Sequence, residues 1–138
     1  DAHMTLIAWS DNLAVHVAEI DMQHQKLVQL INGLHDHMVA GDAKEIMEKV
    51  LDRVIQYTVM HFQTEEKLMQ AHGYPNSPTH KHEHADLTKT ALDLQRKLKS
   101  GDSHITMETM KFLRDWLQSH ILKTDKAFGA FLNSKGVH

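Results

Sequence analysis

The 138-residue chain contains no cysteine. That excludes a disulfide framework and every thiolate metal site, zinc fingers and iron–sulfur clusters included. Proline is scarce, with two copies, and glycine occurs six times, so few positions punctuate the chain. No apolar run approaches the roughly 18–20 residues that span a bilayer, which argues against a membrane role. The formal charge is −3, and there is no basic excess of the kind that marks a nucleic-acid-binding face. Against these absences stands one surplus: 13 histidines, beside 15 lysines and arginines together. Length and a hydrophobic share of 41% fit one domain over residues 1–138 with one core.

The start Asp1-Ala2-His3-Met4 reads as a three-residue cloning remnant (1–3) ahead of Met4. No basic segment followed by an apolar stretch comes after Met4, so a cytoplasmic location is the default expectation. Residues 4–18, with Trp9, form an irregular arm.

Both prolines fall within Gly73-Tyr74-Pro75-Asn76-Ser77-Pro78, and Gly41 and Gly101, each followed by Asp, mark two more breaks. Between breaks the apolar residues recur at threes and fours. One stripe holds Ile20, Leu27, Ile31, Leu34 and Met38, and a second holds Ile46, Val50, Val54 and Leu68. Leu87, Ala91, Leu94 and Leu98 make a third; Met110, Leu113, Leu117, Ile121 and Phe128 make a fourth. The period is helical throughout. Asp42 with Glu45 reads as a capping box, and Ser77 before Pro78 as an N-cap. These signals place helices near 19–40, 43–72, 78–100 and 104–132. Short connections make neighbours antiparallel, so the expected fold is all-α, an up-down-up-down four-helix bundle.

Histidines continue these stripes. His84 leads into Leu87 at a spacing of three, His61 precedes Leu68, His24 lies between Ile20 and Leu27, and His120 follows Leu117. His80 and His84, like His61 and Glu65, are four apart, about 40° apart around a helix and one turn along it. Depth follows from counting outward from the turns. From Gly41 it is 17 residues back to His24 and 20 forward to His61; from Gly101, 17 back to His84 and 19 forward to His120. From Gly73 it is 8 back to Glu65 and 7 forward to His80. At about 1.5 Å per residue, all six groups fall near one level of the bundle. A hydrogen-bonded polar layer suits one or two such histidines. Five with an acid favour a metal, because neutral imidazoles offer one another too few donors. Asp125 lies five residues after His120, about 140° around a regular helix. It joins the site only by reaching across a turn or through a local π-bulge. His16, His35, His37, His72, His82 and His104 read as solvated, and the eight methionines as gap-filling core.

The segments Asp21-Met22-Gln23-His24-Gln25, His61-Phe62-Gln63-Thr64-Glu65-Glu66, His80-Lys81-His82-Glu83-His84 and Trp116-Leu117-Gln118-Ser119-His120-Ile121, with Asp125, resemble the bacterial hemerythrins. The resemblance runs from about Trp9 to Leu132 and includes Gly73-Tyr74-Pro75. It implies a non-haem di-iron centre with an oxo or hydroxo bridge, binding O2 reversibly for storage, delivery or supply. By that resemblance His80, His84 and His120 bind one iron, His24 and His61 the other, and Glu65 and Asp125 bridge both. The second iron keeps a position open for O2, in a pocket of Leu27, Phe62, Trp116, Leu117 and Ile121. The residues alone leave manganese and zinc open; iron comes from the resemblance. An O2 or redox sensor signalling to a partner is an alternative, as is a di-iron enzyme acting on peroxide, nitric oxide or ferrous iron. The Glu-x-x-His pairs of ferritin-like oxidases are absent, which favours a binding protein over an enzyme. Where the family frequently has tyrosine, this chain has Phe128, which removes one hydroxyl from the neighbourhood of the site.

Overall fold

A computed structural model describes residues 5–102 and 104–138. The expected remnant, residues 1–3, and Met4 lie outside the described residues. The helices are α1 (Ala18–Val39), α2 (Lys44–His72), α3 (Ser77–Ser100), α4 (Met107–Ser119) and α5 (Lys126–Ser134). A π-helical stretch, His120–Asp125, joins α4 to α5 without a break, so the expected fourth helix is one rod of three parts. α1 packs against α2 and α2 against α3, as the short connections require, and α1 also packs against α4. Among the described residues no helix is long and apolar enough to cross a membrane.

The helix ends show which local signals operate. Gly73 and Gly101 terminate α2 and α3 in the left-handed region, at φ 64° and 82°. Thr106 caps α4 by accepting from the Thr109 N–H at 3.2 Å, so α4 begins three residues later than the spacing placed it. The Asp42 capping box does not form. The N-cap of α2 is Ala43, and the Asp42 carboxylate instead lies 2.5 Å from His37 Nδ1 at the end of α1. Ser77 is likewise already helical; Asn76 is the N-cap, and Ser77 Oγ meets the Met69 sulfur at 3.6 Å.

The core follows the apolar stripes, with three corrections. Ile46 is 42% exposed; Met47, seven residues before Val54, takes the inward position. His35, four residues after Ile31 and next to Leu34, is buried. Met22, Met60 and Met107 are exposed, whereas Met47, Met69 and Met110 fill the core. His16, His82 and His104 are exposed as expected, and His37 and His72 are half-buried.

The arm is held at several points. Asn32 exchanges two 2.9 Å hydrogen bonds with the Ile7 backbone, and the Asp21 carboxylate accepts from the Val15 and His16 N–H groups at 2.7 and 3.1 Å. Ile7, Leu13, Val15 and Val17 are buried as a result. α5 accepts the arm because Gly129 has no side chain: a Cβ there would lie 2.5 Å from the Val15 carbonyl oxygen. Backbone cannot yield as a flexible side chain can. Gly129→Ala is therefore expected to destabilise the protein by about 1–3 kcal/mol, read as a lowered midpoint in urea unfolding.

Candidate metal centre

Each of the four rods delivers side chains to one level. α1 supplies His24; α2 supplies His61 and Glu65 on one face; α3 supplies His80 and His84; the last rod supplies His120 and Asp125. The six groups that the count from the three turns places near one level are buried and adjacent, and Asp125 lies among them. Asp125 enters through the π stretch. The Lys126 N–H bonds back to the Ile121 carbonyl, a five-residue step that returns Asp125 to the His120 face. Asp125 Oδ1 consequently lies 3.2 Å from His120 Nε2.

The two carboxylates divide their oxygens between two sets of imidazoles. Glu65 Oε1 lies 3.1 Å from His80 Nε2 and 3.0 Å from His84 Nε2, while Oε2 lies 3.3 Å from His61 Nε2 and 3.7 Å from His24 Nε2. Asp125 Oδ1 faces His80 Nε2 at 3.1 Å as well as His120, and Oδ2 faces His24 Nε2 at 2.9 Å. Two overlapping donor groups result: His80, His84 and His120, and His24 and His61, with Glu65 and Asp125 common to both.

Most of these atoms do not hydrogen-bond one another. His24 Nε2, His61 Nε2, His84 Nε2, His120 Nε2, Glu65 Oε2 and both Asp125 oxygens are buried without an aligned partner. Orphaned buried polar atoms are costly. Seven of them converging from imidazoles and carboxylates fit metal cations, and the nitrogen and oxygen donors suit iron, manganese or zinc.

Outside the donors lies a layer that the spacing did not reveal. Gln23 meets His61 at Nδ1, Glu66 meets His84, and Glu83 meets His120. Glu83 directly precedes His84 in the chain yet serves a histidine on another rod, so no local signal announces it. Phe62 stacks on His84 at 3.8 Å between ring centroids, and Trp116 stacks on His120 at 5.1 Å. Leu27, Leu117 and Ile121 are buried within a turn of His24 and His120. Phe128 and Tyr74 pack edge-on to His80 at 5.5 and 6.3 Å, so the ring at 128 fills its place without a hydroxyl.

A profile of the hemerythrin HHE cation-binding domain matches residues 15–132. The chain belongs to the hemerythrin family. It is 39% identical to a bacteriohemerythrin of Methylococcus capsulatus over 95% of this chain and all of that one. A bacteriohemerythrin of Stenotrophomonas maltophilia is 33% identical, over 91% of this chain and 80% of that one. A solved wild-type hemerythrin superposes with a TM-score of 0.87 at 38% identity, over 92% of this chain and 98% of that one. The hemerythrin bundle is thus the fold here, as the sequence pattern implied.

Without metal, the charges must satisfy one another. Burial raises the Glu65 pKa, as does the Asp125 charge, but contacts from His61, His80 and His84 outweigh both and hold it far below the carboxylate range. Asp125 is also pushed up by burial and pulled well down by His120, His24 and His80. Burial lowers His80 and His120, yet the two carboxylates raise each to about 9. A raised histidine stabilises the folded state fully below its unfolded value of 6.5, and that stability is lost as pH rises through 9. A lowered carboxylate stabilises above its unfolded value of about 4 and loses that stability as pH falls below it. Metal-free protein should therefore melt highest between about pH 4.5 and 6.5 and lower progressively toward pH 9. Metal binding displaces the same imidazole protons, so the melting increment it adds should grow over that range. Thermal melts of chelator-treated and metal-loaded protein check both signs.

Proposed function

We propose that this protein binds O2 reversibly at a non-haem di-iron centre, for oxygen storage, delivery or supply, without catalytic turnover. The observation that carries this reading is the division of Glu65 and Asp125, each turning one oxygen to each imidazole group. His80, His84 and His120 would hold one iron and His24 and His61 the other, with Glu65 and Asp125 shared between them. An oxo or hydroxo group from solvent would complete the centre. The two-histidine group offers one protein donor fewer than the three-histidine group, so a metal held there would keep a position for a small ligand. A ferrous pair held there would supply the electrons that reversible O2 binding requires.

The chain's own residues make that exchange reversible. Phe62 and Trp116 stack over His84 and His120 and close that side with rings. Leu27, Leu117 and Ile121 supply aliphatic wall near His24 and His120. An apolar enclosure limits proton delivery to bound oxygen and so limits escape of reduced products. The absence of cysteine fits an oxygen-handling site, since no thiol stands nearby to be oxidised.

Purified protein should contain two irons per chain. After anaerobic reduction it should show a visible absorption band on O2 exposure that vanishes on O2 removal over repeated cycles. His61→Ala and Glu65→Ala should each abolish two-iron binding, by metal analysis. Rapid oxidation with no stable adduct overturns the carrier reading in favour of an enzyme or redox switch.

A further inference from the structure

Each imidazole has a second ring nitrogen turned away from the centre, and what meets it differs between the two groups. In the three-histidine group, His84 Nδ1 lies 3.0 Å from Glu66 Oε2, and His120 Nδ1 lies 2.9 Å from Glu83 Oε1. The Thr124 hydroxyl lies 2.9 Å from both Glu83 oxygens and donates to that carboxylate, holding it in place. In the two-histidine group, His61 Nδ1 lies 2.7 Å from Gln23 Oε1. The orientation of this amide follows from its other end. The Thr64 hydroxyl donates to the Met60 carbonyl at 3.2 Å, which leaves its oxygen to accept from Gln23 Nε2, also at 3.2 Å. Gln23 Oε1 is therefore the atom that accepts the His61 Nδ1 proton. Among the described residues His24 and His80, one from each group, have no hydrogen-bond partner at Nδ1. The contrast thus rests on three contacts: two anions behind one group, a neutral amide behind the other.

An acceptor at Nδ1 fixes the tautomer and turns the Nε2 lone pair toward a metal, and an anionic acceptor also makes that nitrogen more basic. We propose that Glu66 and Glu83 are positioning residues that make the three-histidine position the tighter and more electron-rich of the two, while Gln23 keeps the two-histidine position weaker. The inference rests on reading the centre as two metal positions. Its chemical sense lies in the open coordination place. The ion with the less donating ligands is the stronger Lewis acid, and it is the one that must accept a small ligand.

Glutamine substitutions separate charge from packing, because Glu66→Gln and Glu83→Gln keep the size and can still accept the Nδ1 proton. Co2+ titrated into chelator-stripped protein, followed by calorimetry and visible absorption, should show two ions binding in separate steps. Either glutamine variant should weaken the tighter step by about tenfold or more, and Gln23→Glu should tighten the weaker step. In iron-loaded protein the reduction potential should rise in Glu66→Gln and Glu83→Gln and fall in Gln23→Glu. A purely structural role is satisfied by glutamine and moves neither quantity. Two ions bound by every variant, with stepwise affinities within twofold and potentials unchanged, overturns the proposal. Fewer than two Co2+ per wild-type chain overturns the two-metal reading itself, and this proposal with it, so the two failures are distinct. Melting of the metal-free variants by circular dichroism confirms that each is folded before either comparison.

Discussion

Glu65 and Asp125 lie side by side with no access to water, and each raises the other's cost of ionisation. Two adjacent buried carboxylates are untenable in an apolar core unless cations surround them. Five imidazoles drawn from all four rods surround them here, the two carboxylates holding His80 and His120 in the protonated form, and the same ring nitrogens present lone pairs to metal when neutral. The whole bundle is arranged around this requirement. Each rod must stop at a particular turn so that its donors reach the common level, and the three turns that set those stops lie seven to twenty residues from the groups they position.

The same requirement explains the one irregular helix. His120 and Asp125 are five residues apart, and an α-helix would turn one of them away from the centre. A π stretch costs hydrogen-bond quality and adds a residue to the turn. Here it brings a shared carboxylate onto the histidine face, and α5 then continues as ordinary helix. Beyond the stretch, α5 receives the arm through the gap left by Gly129, and Asn133 Nδ2 donates to the His16 carbonyl. The arm thereby covers the part of the last rod that the π stretch sets in place.

Much of this was legible in the chain. Stripes of period three and four place the helices within a few residues, and counts from Gly41, Gly73 and Gly101 that match to within a turn bring the donors near one depth. Asp125 was readable only as an alternative between a long reach and a π-bulge, because wheel geometry assumes a regular helix. The errors share a cause. Asp42 has a capping box within reach, but a neighbouring His37 competes for its carboxylate. Ile46 and Met47 are both plausible inward residues, and only contact with α1 or α3 can choose between them. His35 reads as solvated because it lies near the helix end and off the apolar stripe, yet its place beside Leu34 buries it.

What the chain determined by itself is therefore periodic and local: the number of rods, their faces, their stops, and the donors that share one level. These follow from helical geometry, in which position along the chain maps directly onto angle and height. What tertiary structure alone decided is the pairing of atoms across rods. It settled which oxygen of Glu65 faces which histidine of the other rods, that Glu83 serves His120 in place of its neighbour His84, and that a neutral amide backs His61. Those pairings depend on distances between residues up to 41 apart in sequence, where no periodicity connects them. Packing of the rods brings them within about 3 Å, the range at which hydrogen-bond chemistry discriminates one partner from another.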